Sequence, residues 1–417
     1  MSSRRTTAVA LLALSALAAP HAQQQPPSFR SSTALVAVDA AVVDKDGKPV
    51  TDLTAADFEI VDGDQRFPIQ TIYLVSSDPA FVRAGQTGPA SAPLPSTTAA
   101  ATSPVRRELR ARVMVFVFDL AHLSADGYKR SRDAVESFLK DSGQSADLVG
   151  IVAGGNMLNN RIDSNKVALL KALQTMPGPN LSRFSELRQF PRFIDEGEAT
   201  TVAHSDDRAL ERVFQRACQE RPDECGERLR EEIRQKAHQI AAEAGNDAVR
   251  SLDTLEKLSR SLGRLPGSKN VLLLSDGYYV DELGQRLRAL AATAARNNVR
   301  ISTLDSRGLN RDPRMQNLMN DQPLTGNGEV SFILNNVDGD ILSSLAIDTG
   351  GEMIMNRNNL RPGIDLIART AGSYYMLGYA PARAMDGDYH SIRVIVTRPN
   401  VTVRARKGYV AVSADVR

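Results

Sequence analysis

The chain has 417 residues, enough for two or three domains and at least one sizeable core. Lys and Arg number 51 against 49 Asp and Glu, a net charge of +2, so no global basic field points to nucleic acid. Aromatic residues make up 5% and Trp is absent, which argues against a base-stacking surface or a carbohydrate platform.

The first residues, MSSRRTTAVALLALSALAAPHAQQQ, combine a basic start (Arg4, Arg5) with an apolar Ala/Leu-rich run from Ala8 to Ala19. Small residues follow, with Ala16-Leu17-Ala18 and Ala22 as candidate cleavage positions. Residues 1–22 therefore predict a secretory signal peptide, and the mature chain is expected in the periplasm or secreted. No later segment is apolar for long enough to predict a transmembrane span.

Residues 32–75 hold β-rich runs punctuated by Asp46-Gly47 and Asp62-Gly63, the turn signals of a small β unit. Residues 76–108 lose periodicity and fill with Pro, Ala, Ser and Thr, predicting a disordered linker. From 109 to 358 apolar runs alternate with amphipathic ones. RVMVFVFD is a strand, Ala125 to Lys140 a helix, DLVGIVAGG a strand and Ser164 to Met176 a helix. NVLLLSDGYY is again a strand, Gly284 to Asn297 a helix and Val299 to Asp305 a strand, followed by Ile341 to Thr349 (helix) and Gly351 to Met355 (strand). Near-continuous apolar strands with intervening helices predict a doubly wound, mostly parallel α/β sheet covered on both faces.

A charged, helix-prone block, 206–262, interrupts this pattern. Leu229, Ile233, Ala237, Ile240, Ala244, Ala248, Leu252 and Leu255 recur every three or four residues, one apolar stripe on a long helix or helical hairpin. Such a stripe packs against the sheet or serves a partner. Within the block lie the only two cysteines, Cys218 and Cys225; in an oxidising compartment their short spacing across Pro222 predicts a local disulfide. From 370 to 413 the β pattern returns in SYYMLGYAP, DYHSIRVIVTRP and VTVRARKGYVAV. Three strands bury too little alone, so the two chain ends are expected to pair, 370–413 with 32–75, in one β-sandwich-like domain with the α/β domain inserted.

In a parallel sheet ligands gather outside the carboxyl ends of the strands. Asp119 (FVFDLA) and Asp276 (LLLSDG) both fall there. Together with VVDKDGKPVTDLTAADFEIVDGD, LGRLPGSKNVLLLSDG, LAIDTGGEMI, YYMLGYAP and RARKGYVA, in that order, they make the chain resemble the von Willebrand factor A-related proteins of the acidobacterial type, over most of its mature length. The resemblance implies a von Willebrand factor A-like, Rossmann-type sheet. It also implies a metal-ion-dependent adhesion site, in which Asp-x-Ser-x-Ser, a loop Thr and a second Asp surround a divalent cation and leave one vertex for a partner's carboxylate.

This chain departs from that motif. Ala121 and Leu123 stand where the two serines belong. Asp119 and Asp276 remain as metal candidates, with Ser124, Ser275, Thr200 and Thr201 as helpers and His122 as an alternative nitrogen ligand. The expected cofactor is none, or weakly bound Mg2+ or Ca2+. Asp119 also reads as a helix cap and Asp276 as a turn residue. The expected function is a non-enzymatic, adhesion-like protein–protein interaction module with a degenerate metal site, its partner at the cell envelope. The alternatives are a metal-assisted hydrolase on Asp119, Asp276, His122 and Ser275, or a scaffold that binds through the helical insertion. No Gly-x-Ser-x-Gly elbow or phosphate-binding loop is present.

Overall fold

The computed structural model describes residues 35–78, 106–141, 147–204, 206–278, 283–309, 341–381, 386 and 388–411. The expected signal peptide, 1–22, and most of the expected linker lie outside them.

The chain enters through β1 (Val36–Asp44), β2 (Phe58–Asp62), β3 (Gln65–Pro68), β4 (Thr71–Ser76) and β5 (Arg106–Leu109). It then runs through β6 (Val113–Phe118), α1 (Ala125–Asp141), β7 (Leu148–Ala153), β8 (Asn156–Met157) and α2 (Lys166–Gln174). Next come α3 (Ser182–Arg188), α4 (Glu196–Ala203), α5 (Asp207–Glu220) and α6 (Glu227–Leu262). β9 (Lys269–Ser275), α7 (Gly284–Arg296), β10 (Val299–Asp305), α8 (Ile341–Thr349), β11 (Met353–Ile354) and α9 (Arg361–Gly372) follow. β12 (Ser373–Tyr379), β13 (Tyr389–Val396), β14 (Val401–Ala405) and β15 (Gly408–Val410) close the described chain.

The fold is mixed α/β. A six-stranded sheet in the order β11-β10-β9-β6-β7-β8 is parallel except at its β8 edge. Its central strands are apolar on both sides because both sides are covered. Met114, Phe116 and Phe118 of β6 join the core formed with α1, α2 and α9. Val115 and Val117, on the opposite face by the period of two, join the core formed with α6, α7 and α8. The chain leaves β6 for β7 on one side and leaves β9 for β10 on the other. The order therefore reverses between β6 and β9, the crevice where open α/β sheets place ligands.

Two antiparallel sheets flank this layer, β14-β1-β12-β4-β5 and β15-β13-β2-β3, with one parallel pairing, β4 with β5. Strands from the two chain ends interleave: β1 pairs with β12 and β14, and β2 with β13. Val38, Ile60, Leu74, Tyr375, Tyr379, Ile392 and Tyr409 share the core between the two sheets.

Two local findings differ from the sequence reading. The linker was expected through 108, but β5 resumes pairing at 106; this is a tertiary pairing, and the local composition carries no strand signal for it. The helices α3, α4 and α9 were not anticipated, because each is short or opens on Pro and Gly. The charged block forms a hairpin, α5 and α6, joined by the Cys218–Cys225 disulfide. Its stripe divides between two cores. Leu229, Ile233, Ala237 and Ile240 pack with α3, α4 and α5, whereas Ala248, Leu252, Leu255, Leu258 and Leu262 pack on the sheet.

Candidate functional site

β6 and β9 run side by side in register, Phe118 opposite Leu274, so their ends deliver Asp119 and Asp276 to the crevice. The Asp119 N–H donates to Leu274 O at 3.0 Å and carries the ladder one residue past β6. The two carboxylates, both buried, are then used differently.

Asp119 Oδ2 is a hub. It pairs with His122 Nδ1 at 2.9 Å and accepts the hydroxyls of Ser251 and Ser275, each at 3.1 Å. Ser251 belongs to α6, so the insertion closes directly over the strand end. Its hydroxyl also meets Tyr278 Oη at 2.8 Å, and the Tyr278 ring meets His122 edge to face at 4.6 Å between centroids. Burial pushes the Asp119 carboxyl up, but the neighbouring His122 charge and the bonds from His122, Tyr278 and Ser251 outweigh it and hold Asp119 below its ordinary value. An ionised carboxylate only accepts, so the proton between the two groups sits on Nδ1. Burial drives the Tyr278 hydroxyl well above the ordinary tyrosine range, and Asp119 adds to it, so Tyr278 stays a neutral donor. His122 is 1% exposed, and its Nε2 is buried without a hydrogen-bond partner.

Asp276 instead serves the head of α1. Its Oδ2 accepts the Ser124 N–H at 2.8 Å, and its own N–H donates to His122 O at 3.1 Å. Oδ1 lies against Gly127, buried and without a partner. A Cβ at residue 127 would sit 2.3 Å from that oxygen, so the close approach requires glycine. Burial raises the Asp276 carboxyl above its usual value, with the Ser124 bonds opposing and the Asp305 charge adding to it.

The other candidates divide in the same way. Ser124 caps α1: its Oγ accepts the Gly127 N–H at 3.0 Å and its carbonyl accepts the Tyr128 N–H at 2.8 Å. Ser275 donates to Asp119 and accepts the Gly277 N–H at 3.1 Å. Thr201 is exposed on α4 and donates to Gly197 O in its own helix, while Thr200 is buried on the same helix. Of the two readings for the carboxylates, helix-end binding belongs to Asp276 rather than Asp119. Among the described residues no three His, Cys, Asp or Glu side chains form a set that could hold a metal ion.

Sequence reasoning missed Ser251, Tyr278 and Gly127. Ser251 stands 132 positions from Asp119, and its only local sign is a serine next to Leu252 in an apolar stripe. Tyr278 sat in the NVLLLSDGYY run without a role. Compared with the profiles of known protein families and with curated proteins, the sequence matches none.

Proposed function

We propose that the chain is an exported, non-enzymatic protein-interaction module with a von Willebrand factor A-related architecture, and that its degenerate adhesion site is an internal hydrogen-bond hub rather than a cation site. The observation that carries this reading is Asp119 Oδ2, which accepts three donors from its own chain, His122, Ser251 and Ser275. A hard divalent cation needs carboxylate and hydroxyl oxygens free on one side, six or more for Ca2+. Here Asp119 Oδ2 would have to shed its donors first. Asp276 Oδ1 is buried against Gly127 rather than open to a shared centre.

The hydrolase alternative finds less support. It needs the Ser275 hydroxyl within reach of His122 Nε2, and that hydroxyl gives its proton to Asp119 instead. The Cys218–Cys225 disulfide agrees with an oxidising destination. No helix among the described residues is long and apolar enough to cross a membrane.

Calorimetry with Mg2+, Mn2+ and Ca2+ tests the reading. The wild-type chain is expected to show no micromolar binding. Micromolar binding that Asp119→Ala abolishes would overturn it.

A further inference from the structure

Next to the hub, α6 lines a cavity of about 310 Å³, whose other walls are Asn180, α3 and the first residue of α4. That volume is at the lower end for small-ligand pockets, roughly 300–1,000 Å³. Ile240 and Ala244 form an apolar floor. Two charge pairs in the wall are satisfied internally: Arg183 with Glu196 at 3.1 Å, and Arg250 with Asp247.

Glu186 and Glu243 are left over. They reach toward each other from α3 and α6, and the Gln239 side-chain amide donates to both, at 2.8 and 3.3 Å. Among the described residues neither makes an ion pair. Lys236, the nearby cation, commits its Nζ to Gln189 O and Pro191 O at 2.6 and 3.0 Å. Burial raises the Glu186 carboxyl, the Glu243 charge and a hydrogen bond shared with Glu243 raise it further, and the Lys236 charge opposes the rise in part. Crowded carboxylates of this kind are relieved by a cation between them.

The cavity adjoins the strand end. One helical turn along α6 from Asp247 stands Ser251, which bonds Asp119, and the Asn180 N–H donates to Leu120 O at 2.9 Å. The Glu196 carboxylate in the cavity wall is within Coulombic reach of His122, and Arg183 is within reach of Asp276.

We propose that this cavity is the ligand pocket of the chain and that it takes an ammonium or guanidinium group on an aliphatic stem. The stem lies on Ile240 and Ala244, and the charge sits between Glu186 and Glu243. The polarity is the reverse of a metal-ion-dependent adhesion site, where a bound cation receives a partner's carboxylate; here the protein supplies the carboxylates and the partner the cation. The proposal rests on the reading of the chain as a binding module, but not on the divalent-ion result.

The test is calorimetry on the full chain with four probes: N-acetyl-lysine methylamide, N-acetyl-arginine methylamide, cadaverine, and N-acetyl-norleucine methylamide as the uncharged match. At least one cationic probe is expected to bind tenfold or more tighter than the norleucine probe, and to weaken as NaCl is raised. Glu186→Gln/Glu243→Gln is expected to lose at least tenfold of that affinity with an unchanged circular dichroism spectrum. Glu243→Gln alone, at an exposed position, serves if the double variant misfolds. Tighter binding of the blocked amino acids than of cadaverine assigns the pocket to a partner protein's side chain; the converse assigns it to a free amine, and either supports the pocket. Equal binding of the norleucine probe, full affinity in the Gln variants, or no cationic probe binding at millimolar concentration overturns it. Such a failure together with a silent divalent-ion titration removes the pocket and leaves the hub intact.

Discussion

At the residue scale, two aspartates that look equivalent in sequence have become chemically opposite. Asp119 is held below its ordinary value by the His122 charge and the donors around it, whereas Asp276 is pushed toward its neutral form by burial and by the nearby Asp305 charge. Gly127 is the position that makes the second arrangement fit. An Ala for Gly change within a helix ordinarily stabilises by about 1 kcal/mol. Gly127→Ala is expected to do the reverse and destabilise by about 1–3 kcal/mol, because its Cβ meets Asp276 Oδ1. Placed on an Asp276→Ala background, the same change should become neutral or stabilising in urea titrations; equal cost in both backgrounds would show that the contact is not the cause. Both aspartates were legible from the sequence because each ends an apolar run that can only be a buried strand. Ser251 and Gly127 were not, since the contacts of Asp119 with Ser251 and of Asp276 with Gly127 span more than a hundred residues and leave no local periodicity.

At the element scale, α6 does the unusual work. Its 36 residues carry one stripe that serves two cores, so the helix ties the small helical layer to the sheet and sets Ser251 over the strand end. Periodicity identified which face of α6 is buried but not what buries it. A stripe read from sequence has no information about where along the helix its neighbours change. At the far end the disulfide closes the α5–α6 hairpin beside the core of Leu210, Val213, Leu229 and Ile233. Replacing Cys218 and Cys225 with Ala is expected to lower stability by about 2–3 kcal/mol, the cost of reopening a short loop in the unfolded chain. Thermal melts of the wild type with and without reductant check this; coincident melts would mean that the hairpin packing alone suffices.

At the scale of the whole molecule, the α/β layer meets the β layer around the start of β9. Lys269 is buried there, with its Nζ donating to Leu265 O at 3.0 Å. Burial pushes its amine down to about 8 from 10.5, opposed by the Asp39 charge on β1. Between those values the unfolded chain binds the proton and the folded chain does not, so this group makes stability rise with pH from about 8 to about 10.5. Lys269→Met should remove that rise and be the more stable protein at pH 7. An identical pH dependence in the variant would mean that the amine stays charged in the fold. The layers themselves were readable in outline, because strands rich in Val and Ile, turn dipeptides and helix periods are local. The pairing of β5 with β4, and the covering of the strand ends by the insertion, depend on contacts that local composition does not encode.

The hub is the centre of this account, and the most direct measurement is an anomalous difference map from crystals grown in millimolar Mn2+. The account predicts Ser275 and Ser251 still bonded to Asp119 and no anomalous peak within coordination distance of Asp119 or Asp276. A peak bridging the two carboxylates, with the serines turned toward it, would contradict it.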